Sequence, residues 1–248
     1  MRYFFQVSYH GRNYHGWQIQ KNAISVQQVI NESLTTIFGY PVKTIGSGRT
    51  DTGVHASGQV FQADFQEPIE EGDLRFKLNS LLPADISIDA VRGVKDDISA
   101  RFDAVSRTYE YHIHFQKNPF LQYTSYFFRN DPDVKAMNES ARVLLRYSDF
   151  ESFSRVKTEV NHFQCNIERA EWVPKGTLLT FHITANRFLR GMVRAVVGTL
   201  LDVGIGRCSH QDFIHIIEAK DRKKAGRSAP AHGLFLTEVR YPDEIYLT

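Results

Sequence analysis

The alternation of hydrophobic and polar positions divides the first part of the chain into strands and helices. Ser25 followed by Gln28 forms a capping box, and apolar residues then recur at helical spacing until Gly39 ends the helix. A second helix is predicted at 73–82, where Pro83 stops it. Runs rich in β-forming residues predict strands at 2–9, 41–46, 58–65 and 86–94. The predicted order is therefore β-α-β-β-α-β.

The second part of the chain repeats this order with one additional helix. Residues 107–115 alternate with a period of two, which places Tyr109 and Tyr111 on one face and His112 on the other. Further strands are predicted at 166–174, 177–186 and 234–241, and helices at 133–146, 188–202 and 209–220. We therefore predict an α+β fold of two tandem ferredoxin-like (βαββαβ) units, residues 1–104 and 105–248, with a cleft between them that suits a long polar ligand.

The bulk composition narrows the class of protein. The chain has 248 residues, of which 42% are hydrophobic and 23% charged, so it is able to bury a sizeable core. Because no long uncharged apolar run occurs, we expect a cytoplasmic protein without a signal peptide or membrane span. Cys165 and Cys208 lie far apart and neither belongs to a Cys-x-x-Cys pair, so we expect two buried free thiols.

The distribution of positive charge is more informative than its total. A net charge of +2 is too small to indicate a nucleic-acid partner by itself. The basic residues nevertheless form two clusters, which are Arg187, Arg190 and Arg194 in one segment and Lys220, Arg222, Lys223, Lys224 and Arg227 in another. Either cluster is suited to binding phosphates, and a solvated surface patch is the alternative interpretation of each.

The densest chemical signal is the segment 46–56, which reads Gly-Ser-Gly-Arg-Thr-Asp-Thr-Gly-Val-His-Ala. Its glycines allow positive φ values and close approach to a ligand, and Asp51 stands near the cationic Arg49 among small neighbours. The segment has neither the Gly-Lys-Ser/Thr of a phosphate loop nor the glycine spacing of a dinucleotide fingerprint, which disfavours a nucleotide-using enzyme. These residues alone indicate either a loop that presents one carboxylate or a tight turn in which Asp51 caps backbone N–H groups.

The stretch Gly48-Arg49-Thr50-Asp51-x-Gly53-Val54-His55-Ala56 resembles the signature of the TruA family of tRNA pseudouridine synthases. Six further blocks resemble that family in the same order, so the resemblance covers essentially the whole chain. They are Tyr14-x-Gly16-Trp17-Gln18-x-Gln20, Ser25-Val26-Gln27, Ala100–Ala104 with Arg107–Tyr111, Asp149-Phe150-x-Ser152-Phe153, Met192-Val193-Arg194-x-x-Val197-Gly198, and Ala229-Pro230-Ala231-x-Gly233-Leu234. One departure is Thr52, where the family usually has Ala, and we treat it as tolerated variation.

The resemblance implies a reaction and an active site. It implies that a homodimer isomerises uridine to pseudouridine at positions 38, 39 and 40 of tRNA, in the anticodon arm. Asp51 is then the covalent nucleophile, Arg194 the cation paired with it, and Tyr109 the active-site tyrosine, whose ring stacks on the displaced uracil. The reaction involves neither redox change nor hydrolysis, so we expect no cofactor, nucleotide or metal. Attack at the sugar C1′ and attack at uracil C6 both remain open.

Other residues of these blocks receive less specific predictions. A helical wheel of 188–202 places Leu189 on the core face and Arg187 and Arg194 opposite, with small residues around them; a surface arginine on an amphipathic helix is the alternative for Arg194. We predict that Arg49, Arg187, Arg190 and Tyr109 bind the RNA substrate. Tyr111 is interpreted as a core residue and His55 as a structural one, with no second ligand at metal spacing.

Two alternative functions follow from the same residues. The first is an RNA-binding or RNA-chaperone protein that has lost catalysis, which the intact Asp51, Tyr109 and Arg194 disfavour. The second is the same enzyme acting on another tRNA position or another RNA. The sequence leaves this second alternative open, because it does not identify the residues that contact the rest of the tRNA.

Overall fold

The computed structural model describes residues 1–155 and 162–247. Its strands are β1 (Arg2–Tyr9), β2 (Thr44–Gly46), β3 (His55–Asp64), β4 (Ile86–Val94), β5 (Ser106–His114), β6 (Tyr126–Phe127), β7 (Ile167–Lys175), β8 (Leu178–Ala185) and β9 (Leu234–Arg240). Its helices are α1 (Val26–Phe38), α2 (Glu71–Leu81), α3 (Val134–Val143), α4 (Met192–Gly204) and α5 (His210–Glu218). The fold is therefore mixed α and β, as predicted, and β6 is the one strand that the pattern did not indicate.

The chain divides into two compact units. One comprises Met1–Val105 together with the chain from Phe235 onward, and the other comprises Ser106–Leu234. The sequence pattern places the last strand in the second predicted unit, 105–248, whereas its contacts group it with the first unit. Tyr241 accounts for part of this grouping, because its hydroxyl donates to the Ala100 carbonyl at 2.5 Å and its ring lies 5.0 Å from that of Phe4.

The first unit has the predicted element order β-α-β-β-α-β, and helices α1 and α2 pack against its strands. Strands β4, β1 and β3 pair antiparallel in that order, and β2 pairs with β3. Strand β3 also pairs in parallel with β9, at His55 and Ala56. The core beneath the helices is aromatic, because the fully buried rings of Phe5 and Phe61 stack with their centroids 4.7 Å apart.

Helix α1 begins and ends where the sequence predicts. The Ser25 hydroxyl accepts a hydrogen bond from the Gln28 N–H at 3.3 Å, and Gly39, at φ 72°, closes the helix with its N–H on the Thr35 carbonyl. The side chain of Gln28 donates to Glu32 instead. Of the two bonds of the predicted capping box, the described part of the chain shows the one from the Gln28 N–H to the Ser25 hydroxyl. The reciprocal box forms at α5, where Ser209 and Asp212 exchange both bonds.

The second unit contains helices α3, α4 and α5 and strands β5, β6, β7 and β8, and α3 packs against β7. Strand β8 pairs with β5 on one side and with β7 on the other, and β6 adds to β5 in parallel. Within the described residues, the longest helices are α1 and α4, with 13 residues each. None of the helices there is long and apolar enough to cross a membrane.

Helix α4 begins later than the predicted 188. Gly191 adopts φ 73° and caps the helix, so Met192 is its first residue. The wheel drawn over 188–202 is wrong in this respect, because Arg187 and Leu189 belong to the segment before the helix. The helix that does form is buried on most of its surface, with Ala195 and Gly198 buried as fully as Val196.

The two cysteines differ in their surroundings. Both are free thiols, and Cys165 is fully buried as predicted, whereas Cys208 is only half-buried. Burial raises the pKa of each thiol to about 11, so neither has the low pKa of a reactive cysteine.

Candidate functional site

Asp51 lies in the first unit, in the segment that joins β2 to β3. The preceding residue, Thr50, is held at two atoms: its carbonyl accepts from the Trp17 N–H at 3.3 Å, and its hydroxyl bonds the Tyr9 hydroxyl at 2.7 Å. On the other side the Val54 N–H donates to the Asp51 carbonyl at 3.1 Å. Because the backbone is fixed on both sides and Asp51 is half-buried, the loop presents a carboxylate in a defined position.

Two glycines in this region are required for different reasons. Gly53 adopts φ 78°, a conformation that L side chains rarely adopt, and its N–H donates to the Tyr14 carbonyl at 3.3 Å. Gly46 packs against the indole of Trp17, and a Cβ there would lie 2.3 Å from the indole nitrogen. The loop that carries Asp51 thus depends on the absence of a side chain at Gly46 and on the left-handed conformation of Gly53.

Two buried glutamines form hydrogen bonds to the loop and to β2, the strand that precedes it. Gln59, on β3, accepts from the Ser47 hydroxyl at 2.5 Å and donates to the Gly48 carbonyl at 3.0 Å. Gln27, on α1, donates to the Thr44 carbonyl at 2.7 Å. Gln59 is not among the residues predicted from the sequence. The feature that could have indicated it is a polar residue within a largely apolar strand. A buried amide at such a position is normally fixed by hydrogen bonds, so Gln59 would be expected to hold a neighbouring segment.

His55 has a structural environment. It is buried, its Nδ1 accepts from the Gly11 N–H at 3.0 Å, and its ring stacks on Phe235 at 4.6 Å. Since Nδ1 is an acceptor, a neutral His55 carries its proton on Nε2. In the described parts of the chain, 1–155 and 162–247, no group of three or more His, Cys, Asp or Glu residues is placed to hold a metal ion.

Arg49 and Thr52, which lie two positions before and one position after Asp51, are both exposed. Arg49 therefore offers its guanidinium at the surface of the first unit, which suits the predicted contact with RNA. The hydroxyl of Thr52 adds no buried polar group, so the departure from the usual Ala costs little.

Tyr109 and Tyr111 point to the same face of β5 and differ in burial. Tyr109 is half-buried, and its ring meets that of Phe188 edge to face at 5.2 Å and 89°. Tyr111 is fully buried and its hydroxyl donates to the Pro230 carbonyl at 2.9 Å. Burial raises the pKa of Tyr111 well above its ordinary value, although the nearby charge of Arg194 opposes the shift. Tyr111 is thus a core residue, whereas Tyr109 keeps part of its ring accessible.

Arg194 lies in the first turn of α4 and is half-buried. Its Nε donates to the Ala229 carbonyl at 2.7 Å, and the Ala229 N–H donates back to the Arg194 carbonyl at 2.9 Å. One turn later a Cβ at Gly198 would lie 1.8 Å from the Arg227 carbonyl oxygen. The small residues of this helix thus admit the chain's own 227–229 segment, and Arg194 is not a solvated arginine on an amphipathic surface.

The other two arginines of the first basic cluster precede α4. Arg187 is half-buried and its Nη1 contacts the ring nitrogens of His162 at 3.0 and 3.3 Å. Arg190 is exposed, and its carbonyl accepts from the Arg155 N–H at 2.9 Å. The structure therefore does not place these two side chains on the helix that carries Arg194.

The second basic cluster separates into two groups. The Lys220 ammonium pairs with Asp149 at 2.8 Å, and the Arg222 guanidinium donates to the Ala225 and Gly226 carbonyls at 3.3 and 3.1 Å. Three other members of the cluster are exposed, namely Lys223, Lys224 and Arg227. Arg222 thus has a structural role, and the exposed residues are the better candidates for phosphate contacts.

Comparison with known proteins gives one consistent result. The sequence profile described as tRNA pseudouridine synthase matches residues 6–103 and 144–242. The tRNA pseudouridine synthase A of Parabacteroides distasonis is 48% identical over 248 residues, which cover 99% of this chain and 98% of the relative. That of Porphyromonas gingivalis is 48% identical over 250 residues, 99% of each chain, and that of Exiguobacterium sibiricum is 39% identical over 242 residues, 98% of this chain and 97% of the relative.

These matches span both units and include the loop of Asp51 and the helix of Arg194. Proteins that share only a fold need not share nearly half of their residues over the full length, as this chain and its relatives do. The chain belongs to the family of tRNA pseudouridine synthases and is an isomerase.

Proposed function

We propose that the protein isomerises uridine to pseudouridine in the anticodon stem-loop of tRNA, at positions 38, 39 and 40, with Asp51 as its covalent nucleophile. The observation that supports the assignment of Asp51 is the fixed backbone of its loop in the first unit. Hydrogen bonds hold the backbone before and after it, and its side chain remains partly accessible. A nucleophile benefits from such fixed geometry, because the reacting atoms are then aligned without further loss of entropy.

The chemistry requires a group that retains the base while its bond to the sugar is exchanged. The bond between uracil N1 and the sugar C1′ breaks, the uracil turns, and carbon 5 forms the new bond to C1′. Carbon 5 then loses its proton and N1 gains one, so that the product is an isomer of the substrate. A carboxylate that bonds covalently to the sugar C1′ or to uracil C6 prevents loss of the intermediate. Asp51 is suited to either attack, and the reaction consumes neither an oxidant nor water.

Arg194 is the proposed positive partner of the Asp51 carboxylate. Its Nε–H is committed to Ala229, which fixes the plane of the guanidinium. The remaining N–H donors of an arginine lie on its two Nη atoms, which match the two oxygens of a carboxylate. A fixed cation of this kind favours the ionised form of a neighbouring carboxylate.

Tyr109 is the proposed stacking residue for the displaced uracil. Its half-buried ring packs perpendicular to that of Phe188, and an aromatic ring is a common platform for an extruded base. Its hydroxyl is also suited to act as a hydrogen-bond partner or proton relay during rotation of the base.

The tRNA contacts proposed outside the reacting base are phosphate contacts. Arg49 and Arg190 are exposed, and Arg187 is half-buried against His162. The exposed residues Lys223, Lys224 and Arg227 extend the candidate surface of the second unit. Long-chain cations at the surface suit the sequence-independent part of tRNA binding.

The remaining proposals concern the fold and the assembly. The first unit has the strand order β4-β1-β3-β2 and the element order βαββαβ, which supports a ferredoxin-like unit. We infer a second such unit, a homodimer and a cytoplasmic location from the resemblance of the sequence to its family. Sedimentation of the purified protein tests the dimer directly.

The decisive experiment is to map pseudouridine in tRNA from cells with and without this protein, and to repeat it with purified protein and unmodified transcripts. We expect pseudouridine at positions 38 to 40 to disappear without the protein and to form in the purified reaction. Modification at other positions would refute the anticodon specificity. Binding of tRNA without any pseudouridine would favour the RNA-chaperone alternative.

A further inference from the structure

Tyr111 has a buried hydroxyl whose purpose core packing does not explain. The ring is fully buried, and the hydroxyl donates to the Pro230 carbonyl at 2.9 Å. A phenylalanine would fill the same volume, so the hydroxyl contributes through this hydrogen bond. The ring has little freedom to move, because a Cβ at Gly233 would lie 2.8 Å from the Tyr111 ring carbon that bears the hydroxyl.

The Pro230 carbonyl belongs to a short segment, residues 225–230, which we call the strap. Arg222 and Thr199 hold its beginning: the Arg222 guanidinium donates to the Ala225 carbonyl, and the Gly226 N–H donates to the Thr199 hydroxyl at 3.0 Å. Tyr111 holds its end at Pro230. The strap is therefore fixed at both ends by side chains of the second unit.

The strap in turn orients Arg194. The Ala229 carbonyl accepts from the Arg194 Nε at 2.7 Å, and Ala229 itself is buried. Because Ala229 precedes a proline, its own backbone is restricted to extended conformations, so the direction of its carbonyl follows the placement of Pro230. The hydroxyl that places Pro230 is that of Tyr111.

We propose that Tyr111 is a positioning residue, whose hydroxyl acts through Pro230 and Ala229 to set the orientation of the Arg194 guanidinium. Tyr111 does not touch the substrate in this role. This role rests on the proposed function of Arg194, and it gives a catalytic consequence to a hydroxyl that the sequence pattern places in the core.

The test compares Tyr111→Phe with a matched control, Tyr241→Phe. Tyr241 is also buried, and its hydroxyl also donates to a backbone carbonyl, that of Ala100, but in the first unit. Both proteins react in single turnover with tRNA that carries tritium at carbon 5 of uridine. The tritium leaves when carbon 5 becomes the glycosidic atom, so its release measures the reaction. Binding of the same tRNA and thermal melting are measured in parallel.

We expect both variants to melt at a slightly lower temperature than the parent, since each loses one buried hydrogen bond. Tyr111→Phe should lower the rate at saturating tRNA by about ten- to a hundredfold, the loss that a displaced catalytic group causes, with tRNA affinity unchanged. Tyr241→Phe should keep the parental rate. In the background of Arg194→Lys, which should keep measurable activity, Tyr111→Phe should cause a much smaller loss of rate than in the parent, because no planar guanidinium remains to be oriented.

Pro230→Ala provides a second variant that keeps the acceptor carbonyl and the Tyr111 hydroxyl but releases the conformation of Ala229. It should lower the rate in the same way as Tyr111→Phe, which keeps the inference testable if Tyr111→Phe folds poorly. A rate for Tyr111→Phe or Pro230→Ala equal to that of Tyr241→Phe would overturn the positioning role. Full activity of Arg194→Ala would instead overturn the proposed function of Arg194.

Discussion

Arg194 and Ala229 exchange two hydrogen bonds across 35 positions of the sequence, one through the Arg194 side chain and one through its backbone carbonyl. This exchange ties the first turn of α4 to the segment after the second basic cluster. It means that any substitution of Arg194 removes a structural bond as well as a charge. Mutational results at this position need a design that separates the two effects.

Asp51→Asn should abolish pseudouridine formation and leave tRNA affinity largely intact. The amide keeps the shape and hydrogen-bonding capacity of the side chain but is not a nucleophile. Tritium release and tRNA binding are the two measurements, and Asp64→Asn, a change at an exposed carboxylate at the end of β3, is the control that should remain active. Substantial turnover by Asp51→Asn would end the nucleophile assignment, and loss of both activity and binding would indicate a structural role.

Arg194→Ala should abolish activity and lower the free energy of unfolding by about 1.5–3 kcal/mol, because it removes a hydrogen bond from a charged donor. Arg194→Lys keeps the positive charge but loses the planar group, so its activity should lie between those of the Ala variant and the parent.

The proposed pairing of Asp51 with Arg194 is tested by the double variant. Removal of the carboxylate charge should relieve part of the penalty of losing the guanidinium, so the double variant should be less unstable than the sum of the two singles. The Ala229 bond is lost in both backgrounds and cancels in this comparison. Strict additivity in thermal melts would show that the two side chains do not interact.

Gly198→Ala should displace the strap and lower the free energy of unfolding by about 1–3 kcal/mol, a typical cost of overpacking. A Cβ at this position would lie 1.8 Å from the Arg227 carbonyl oxygen, so the backbone has to move. The control is Gly93→Ala in β4, where the nearest atom is Cδ1 of the exposed Leu247 side chain at 3.4 Å, an ordinary van der Waals distance. Chemical denaturation should show an unchanged or slightly more stable control, and equal stability of the two variants would contradict the close approach.

Lys224→Ala should weaken tRNA binding and reduce the slope of log affinity against log salt by about 1, the effect of one lost phosphate contact. Lys220→Ala is the matched control. Because the Lys220 ammonium is already paired with Asp149, its removal should leave the slope unchanged. Titrations at several salt concentrations provide the measurement. An unchanged slope for Lys224→Ala would remove this residue from the binding surface.

The ion pair of Arg2 and Asp64 should add to the free energy of unfolding at neutral pH and lose this contribution in acid. A two-pronged hydrogen bond from Arg2, at 2.7 and 2.9 Å, lowers the pKa of Asp64 below its ordinary value of 3.8. Because the folded pKa is the lower one, the contribution is present above pH 3.8 and is lost as the pH falls through the folded pKa. Urea midpoints of the parent and Asp64→Asn should therefore differ at pH 6 and converge as the pH falls below 3.8. A difference that is constant over this range would rule out the pKa shift.

Local sequence patterns were sufficient for most of the secondary structure. The capping residues Ser25 and Gly39 delimit α1 through bonds to residues within one turn, which is why the sequence alone predicts this helix. Strands β1 and β4 follow from alternation and turn residues in the same way. The start of α4 was predicted too early, because a glycine is compatible with a helix until its neighbours impose a positive φ, as they do at Gly191.

The sequence by itself determined the family, the loop that carries Asp51 and the nature of the candidate reacting groups, because these depend on residues that stand close together in contiguous blocks. Only the tertiary structure decided which polar groups support them. Gln59 beneath the loop, Tyr111 on Pro230 and Ala229 on Arg194 are joined by hydrogen bonds between residues 11 to 119 positions apart. Such bonds leave no periodic trace in the sequence, since a buried polar group must find a partner but the partner's position is set by packing. For the same reason charge alone grouped Arg222 with Lys224, whereas the fold uses Arg222 to fix the strap and leaves Lys224 exposed.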